Sequence, residues 1–243
     1  HVLVQDLQCL PVPVDVSKDA AQPNWQPMPW TYAPLLLTSQ TSPVTRNVAQ
    51  VNAALASSVD MVGGEDGIHK EVLLATSSNS KTTGVPARVD LSFGVEDEQS
   101  FRYTFIPVAL SLEGVFTSLY AYQLPPEQIV NQHPTRKQSV LTRQIVVAAG
   151  SAIRNEWQQG RPLPLGYDRY TQMQFGNRDF MVNAVLYLAD EEGWMNLRQK
   201  EIRLRMINDQ RARQSRVTAQ VVSIVIPLLI LGCLDRKSTR LNS

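Results

Sequence analysis

The chain has 243 residues, 43% apolar and 19% charged, which is room for one large domain or two small ones with an ample core. Its net charge of +1 gives no general pull toward nucleic acid or acidic surfaces. Two cysteines, Cys9 and Cys233, make no disulfide framework and leave the redox compartment undecided.

Val2–Gln5 reads as the end of a strand. Gln8–Pro34 follows, with prolines at 11, 13, 23, 27, 29 and 34 and tryptophans at 25 and 30. Prolines at that density argue against a regular helix or a central strand and for a long covering loop. Lys70–Thr76 is a short apolar run with a charged entry, as in a buried strand. Phe101–Leu112 is a longer strand-like run. Glu113-Gly114 then predicts a hairpin turn into Phe116–Tyr122.

Arg143–Ala149 is another apolar strand. Gly150-Ser151 and the helix-like AIRNEW come next, a strand–turn–helix of the α/β kind with Ser151 as N-cap. Gln158–Gly176 is a second loop. Asn177 then predicts a helix cap, with Asp179 in the first turn. Phe180, Ala184 and Leu188 fall one turn apart, as do Met181 and Val185, which predicts one inward apolar stripe and a stop at Gly193. A basic helix from Met195 to about Asn208 follows.

Val217–Leu234 carries no charge over 18 residues. As a helix at ~1.5 Å per residue it would span about 27 Å, close to a bilayer's hydrocarbon core. It is apolar all round apart from Thr218, Gln220 and Ser223, and membrane spans tolerate a proline such as Pro227. Arg198, Lys200, Arg203, Arg205, Arg211, Arg213 and Arg216 crowd its approach and suit anionic head groups. The expected layout is an α/β domain over 1–195, a basic juxtamembrane helix over 196–216 and a transmembrane helix over 217–234. The tail 235–243, DRKSTRLNS, departs abruptly and resembles translated sequencing-adapter read-through, so it carries no topology argument.

Catalytic signatures are missing. Ser80-Lys81-Thr82-Thr83 ends like a phosphate-binding loop but lacks the glycines of the cradle. Ser151 sits in AGSAI, with one of the two glycines of a nucleophile elbow. His1, His69 and His133 have no second ligand at metal-binding spacing. Cys9, in LQCLP, reads as a small buried residue, and Glu113 as a turn residue rather than a buried carboxylate. No catalytic, cofactor-binding or metal-binding residue is assigned, and no cofactor is expected.

Several long segments point to a family. They are YTFIPVALSLEGVFTSLY (Tyr103–Tyr120), PLPLGYDRYTQMQFGNRDFMVNAVLYL (Pro162–Leu188), the opening LVQDLQCLPVPV, the loop at Pro29-Trp30, and LLATSSNSK (Leu73–Lys81). Together they resemble the gliding-motility-associated ABC transporter auxiliary proteins, also labelled substrate-binding components. The resemblance covers nearly all of 1–234. It implies an extracytoplasmic α/β domain in the cytoplasmic (inner) membrane, anchored by a C-terminal span and facing the periplasm. It also implies a separate permease subunit, a separate ATPase subunit and contact with the lipid bilayer. This chain would be the C-terminal part of such a protein. Relatives carry an acidic Asp-Gly-Asp-like turn where this chain has Ala149-Gly150-Ser151, so no site is carried over there. The basic approach to the span favours a cytoplasmic domain by the positive-inside rule. The rule weakens for long translocated domains, and the resemblance decides for the periplasm. A non-enzymatic transporter component is the reading that results. A membrane-bound amidotransferase-like or hydrolase-like enzyme and a pure scaffold are the alternatives.

The apolar segment predicts that the full chain resists carbonate extraction and that removing Val217–Leu234 releases it. Ile226→Arg is expected to cost about 3 kcal/mol of insertion. Release of the intact chain into the soluble fraction contradicts the assignment.

Overall fold

The computed structural model describes residues 2–17, 23–63, 67–89, 98–119, 136–190 and 192–197. Contacts divide the chain into two units, His1–Gln199 and Lys200–Ser243. The second, with the expected span and most of the basic helix, lies outside the described residues. Among those described, no helix is long and apolar enough to cross a membrane.

The first unit is mostly antiparallel β-sheet with one long helix, rather than strands and helices in alternation. Its strands are β1 (Val2–Asp6), β2 (Cys9–Asp15), β3 (Trp25–Thr38), β4 (Val51–Asn52), β5 (His69–Ala75), β6 (Ser80–Gly84), β7 (Pro107–Gly114) and β8 (Thr142–Val147). The main sheet runs β2-β3-β5-β7-β8, with β4 paired to β3, and β1 pairs with β6 beside it. Two short ribbons follow: β9 (Trp157–Gln158) with β10 (Arg161–Pro162), and β11 (Tyr167–Asp168) with β12 (Met173–Gln174). Helix α1 is Asn177–Ala189 and α2 is the single turn Trp194–Leu197.

The proline-rich stretch is a hairpin, not a loop. Pro11 pairs with Pro29 and Pro13 with Pro27. Proline has no N–H to give, so these are the pairs that exchange no hydrogen bonds, and Val12↔Met28 and Val14↔Gln26 carry the ladder. The same prolines leave the outer edges of the ribbon without donors, which blocks pairing with another strand. Proline is thus compatible with a regular strand when it recurs at every second residue.

Two other local expectations fail for identifiable reasons. Glu113-Gly114 does not turn. β7 passes through it, and Phe116–Ser118 continue against Lys137–Ser139. A Cβ on Gly114 would lie 3.0 Å from both the Gly67 carbonyl oxygen and the Ile68 Cα, so close approach explains this glycine. The helix expected after Gly150-Ser151 is a single 3₁₀ turn, Gly150–Ile153, and Arg154 is already extended. Without that helix the α/β signature is lost, and among the described residues every strand pairing is antiparallel.

The main core joins Leu36, Val44, Val51, Leu73, Leu74, Val108, Ala109 and Ala152 to Phe180 and Ala184 of α1. The expected inward stripe is half right. Phe180 and Ala184 are buried and Met181 packs against the core, but Val185 is 61% exposed and Leu188 44% exposed. The inward face turns instead through Phe180, Ala184 and Tyr187, which follow the helical period more closely. Phe180→Ala is accordingly expected to destabilise the domain by about 3–5 kcal/mol in denaturant unfolding. Val185→Asp is expected to leave the thermal midpoint within a few degrees. A large loss from Val185→Asp with little from Phe180→Ala would reverse the two faces.

Candidate functional site

Two concave regions flank α1. The first is an open cleft of about 400 Å³ between α1 and the 43–48 segment. Arg178, Asp179, Val182, Asn183 and Leu186 form one wall, and Pro43, Arg46, Asn47 and Val48 the other, with Met195 at the base. Asn183 Nδ2 donates to the Val44 carbonyl at 3.1 Å, and Arg46 Nε to the Gln40 carbonyl at 2.9 Å, which fixes the second wall. The walls are thereby tied, while Val182 and Leu186 stay exposed.

The second is a polar recess of about 60 Å³, lined by Asn52, Ala54, Ser151, Arg154, Glu156, Gly166, Tyr167 and Asn177. That is room for about two waters. Asn177 is buried and does not cap its helix; Gly176 holds the cap position. Its amide instead donates to the carbonyls of Asn52 (2.8 Å) and Ala152 (3.0 Å) and accepts from the Asn52 N–H (3.0 Å). Ser151, expected as a cap, donates to the Ala54 carbonyl at 2.6 Å. Asn52 Oδ1 is buried with no partner among the described residues.

The other residues singled out in the sequence are dispersed. Lys81 lies in strand β6, 4.7 Å from the Phe101 ring centroid, so Ser80–Thr83 is a strand rather than a phosphate-binding loop. His69 opens β5 opposite Glu113. His1 and His133 lie outside the described residues. Cys9 is half-buried in β2, and its thiol is pushed up to about 11, first by burial and then by the Asp6 carboxylate. Such a thiol is protonated at neutral pH and a poor nucleophile. Among the described residues no three His, Cys, Asp or Glu side chains cluster to hold a metal.

Glu113 is an ion-paired strand residue, not a turn residue. Arg143 Nε donates to its Oε1 at 3.1 Å and the Tyr187 hydroxyl to its Oε2 at 3.2 Å. Arg143 also lies 4.8 Å from the Tyr187 ring centroid and donates to the Asp190 carbonyl at 2.7 Å, which closes the C-terminal end of α1. Burial, then the charge of Glu113, pushes the Tyr187 phenol above its ordinary range.

One buried carboxylate had no sequence signal. Asp6 accepts from the Ser77 hydroxyl (2.5 Å), the Ser77 N–H (2.6 Å) and the Gln8 N–H (2.9 Å). Thr76 and Ser80 share a hydroxyl contact beside it at 2.9 Å, and Thr76 Oγ1 accepts from the Ile106 N–H at 2.8 Å. The segment LLATSSNSK is thus a buried polar staple between β1, β5 and β7. Nothing local in the sequence marks this role, because the partner, Asp6, is about 70 residues away.

The arrangement is an antiparallel β domain in which the prominent polar side chains are spent on internal hydrogen bonds, while an apolar helix wall stays open for contact. The chain belongs to the family described as an ABC-type uncharacterized transport system, whose sequence model matches residues 1–184. Members are auxiliary components of such systems. No curated protein and no solved structure matches the chain.

The folded Cys9 thiol holds its proton more tightly than the unfolded one, which ionises near 9.0. Its contribution to stability is therefore complete below pH 9 and is lost as the pH rises through about 11. In a chain carrying Cys233→Ser, iodoacetamide is expected to label Cys9 slowly at pH 8 and faster toward pH 11. Rapid labelling of the folded chain at pH 8 would refute this.

Proposed function

We propose that this protein is a non-enzymatic, membrane-anchored auxiliary component of an ABC transporter linked to gliding motility. It works beside a separate permease and a separate ATPase. The family match over residues 1–184 carries this reading, because it covers every described strand and most of α1. Its association with gliding rests on the resemblance of the segments quoted above. The uncharged Val217–Leu234 supplies the anchor in the inner membrane, with residues 1–195 on the periplasmic side.

The internal use of polar groups supports a binding role over a catalytic one. Ser151 is committed to a carbonyl, the Cys9 thiol is held protonated, and Lys81 packs over an aromatic ring in a strand. In such a complex ATP hydrolysis belongs to the ATPase chain, and this chain contributes through contact.

Affinity isolation of the full chain from membranes of a gliding cell is expected to bring down a permease and an ATPase. The purified chain is expected to show no saturable ATP binding by calorimetry, and loss of the gene to abolish spreading. Isolation without either subunit overturns the transporter assignment. Spreading that survives loss of the gene overturns the motility assignment alone.

A further inference from the structure

We propose that Asp190 is the joint of a rigid bracket that fixes the direction in which the chain leaves the domain. Its backbone is held by the sheet, and its side chain holds α2. The Asp190 carbonyl accepts from Arg143 Nη1 at 2.7 Å, and Nε of the same guanidinium donates to Glu113 Oε1 at 3.1 Å. The Asp190 carboxylate accepts from the N–H groups of Trp194 at 2.9 Å and Met195 at 2.7 Å. Glu113 on β7, Arg143 on β8, the end of α1 and the start of α2 thus form one continuous series of bonds.

The local sequence is fitted to this bracket. Gly193 has a φ of +78°, a backbone angle that glycine adopts freely, and the turn it makes brings the next two N–H groups back to the carboxylate. The Met195 N–H is the first cause that holds the Asp190 carboxyl below its ordinary range, so the acceptor is ionised at neutral pH. Met195 is also buried, at the base of the open cleft, so packing backs the bonds. α2 is one turn long, and a single turn does not hold itself in water. Its position therefore comes from Asp190 and Met195. The last residues of a domain form a slack tether unless they are tied down. Here they are tied, and a pull on the chain beyond α2 reaches α1 and β8. That the pull comes from an anchor at Val217–Leu234 rests on the reading proposed above; the bracket itself does not.

The test uses the full chain in mild detergent. With Cys9→Ser and Cys233→Ser as background, spin labels are placed at Trp194→Cys and at Gln144→Cys, both exposed positions. Trp194→Cys keeps the peptide N–H that Asp190 holds. The labelled pair is expected to give one narrow distance. Asp190→Ala is expected to broaden it at least twofold. In the unlabelled chain the same substitution is expected to speed amide exchange at Trp194 and Met195 at least tenfold, with the thermal midpoint unchanged within a few degrees. Gly193→Ala, which strains the turn and leaves the carboxylate in place, is expected to do the same. Arg143→Gln is expected to broaden the distance while those two amides stay protected, because it frees the far end of the series and not the near end. A distance already as broad as that of Asp190→Ala overturns the proposal. So does a narrow distance indifferent to both Asp190→Ala and Gly193→Ala. Neither outcome depends on insertion of 217–234, which carbonate extraction reads separately.

Discussion

One buried amide holds together parts of the chain that are 125 residues apart. Asn177 satisfies the N–H and the carbonyl of Asn52 and the carbonyl of Ala152. It thereby joins the short strand β4, the turn after β8 and the start of α1. Each such bond is worth only about 1 kcal/mol net, but a buried backbone group left without its partner costs about 1–3 kcal/mol. Three groups depend on this side chain, so the cost of losing it is cumulative. The surroundings are fitted to it. Gly166 has a φ of +81°, and a Cβ there would lie 2.8 Å from the Asn177 Cβ. The chain must pass this close for the amide to reach β4, and only glycine permits both the approach and the backbone angle.

With its first residue fixed in this way, α1 has little freedom of rotation. Asn177, Phe180 and Ala184 point inward together, and Arg143 closes the far end on the Asp190 carbonyl. The helix is pinned at both ends by polar contacts and in the middle by Phe180. Its outward residues therefore contribute almost nothing to holding it in place. That Val182, Val185 and Leu186 are apolar all the same is not explained by the fold of a single copy.

The parts of the fold legible in the sequence are those set by local pattern. β1, β5 and β8 announce themselves as apolar runs with polar ends, and α1 as a helix of the right length. What was hidden depends on partners distant in sequence. The prolines of β2 and β3 read as a loop, because their tolerance comes from facing one another across a ladder. Asn177 reads as a cap, because its real partners lie far upstream. Gly114 reads as a turn, because the neighbour it must clear is Gly67. The α/β expectation rested on strands interleaved with helices, and the helix expected after Gly150 stops after one turn. Ser151 is bonded to Ala54 and Arg154 is extended, so nothing propagates it. The transport-system family was legible, since long segments survive such local misreadings, and the match over residues 1–184 is to that broader family and not to its gliding-associated members.

The distribution of polar groups also bears on how the protein acts. A catalytic site needs side chains whose hydrogen-bonding capacity is left for substrate. Here the conspicuous ones are consumed within the domain: Asp6 by Ser77 and Gln8, Ser151 by Ala54, and Glu113 by Arg143 and Tyr187. The exposed face of α1 is mainly apolar area, at Val182, Val185 and Leu186, and the Asp190 and Glu192 carboxylates beyond it are bonded to the Trp194 and Met195 N–H groups and to the Trp194 indole. Free energy in that form is released by excluding water at a second surface.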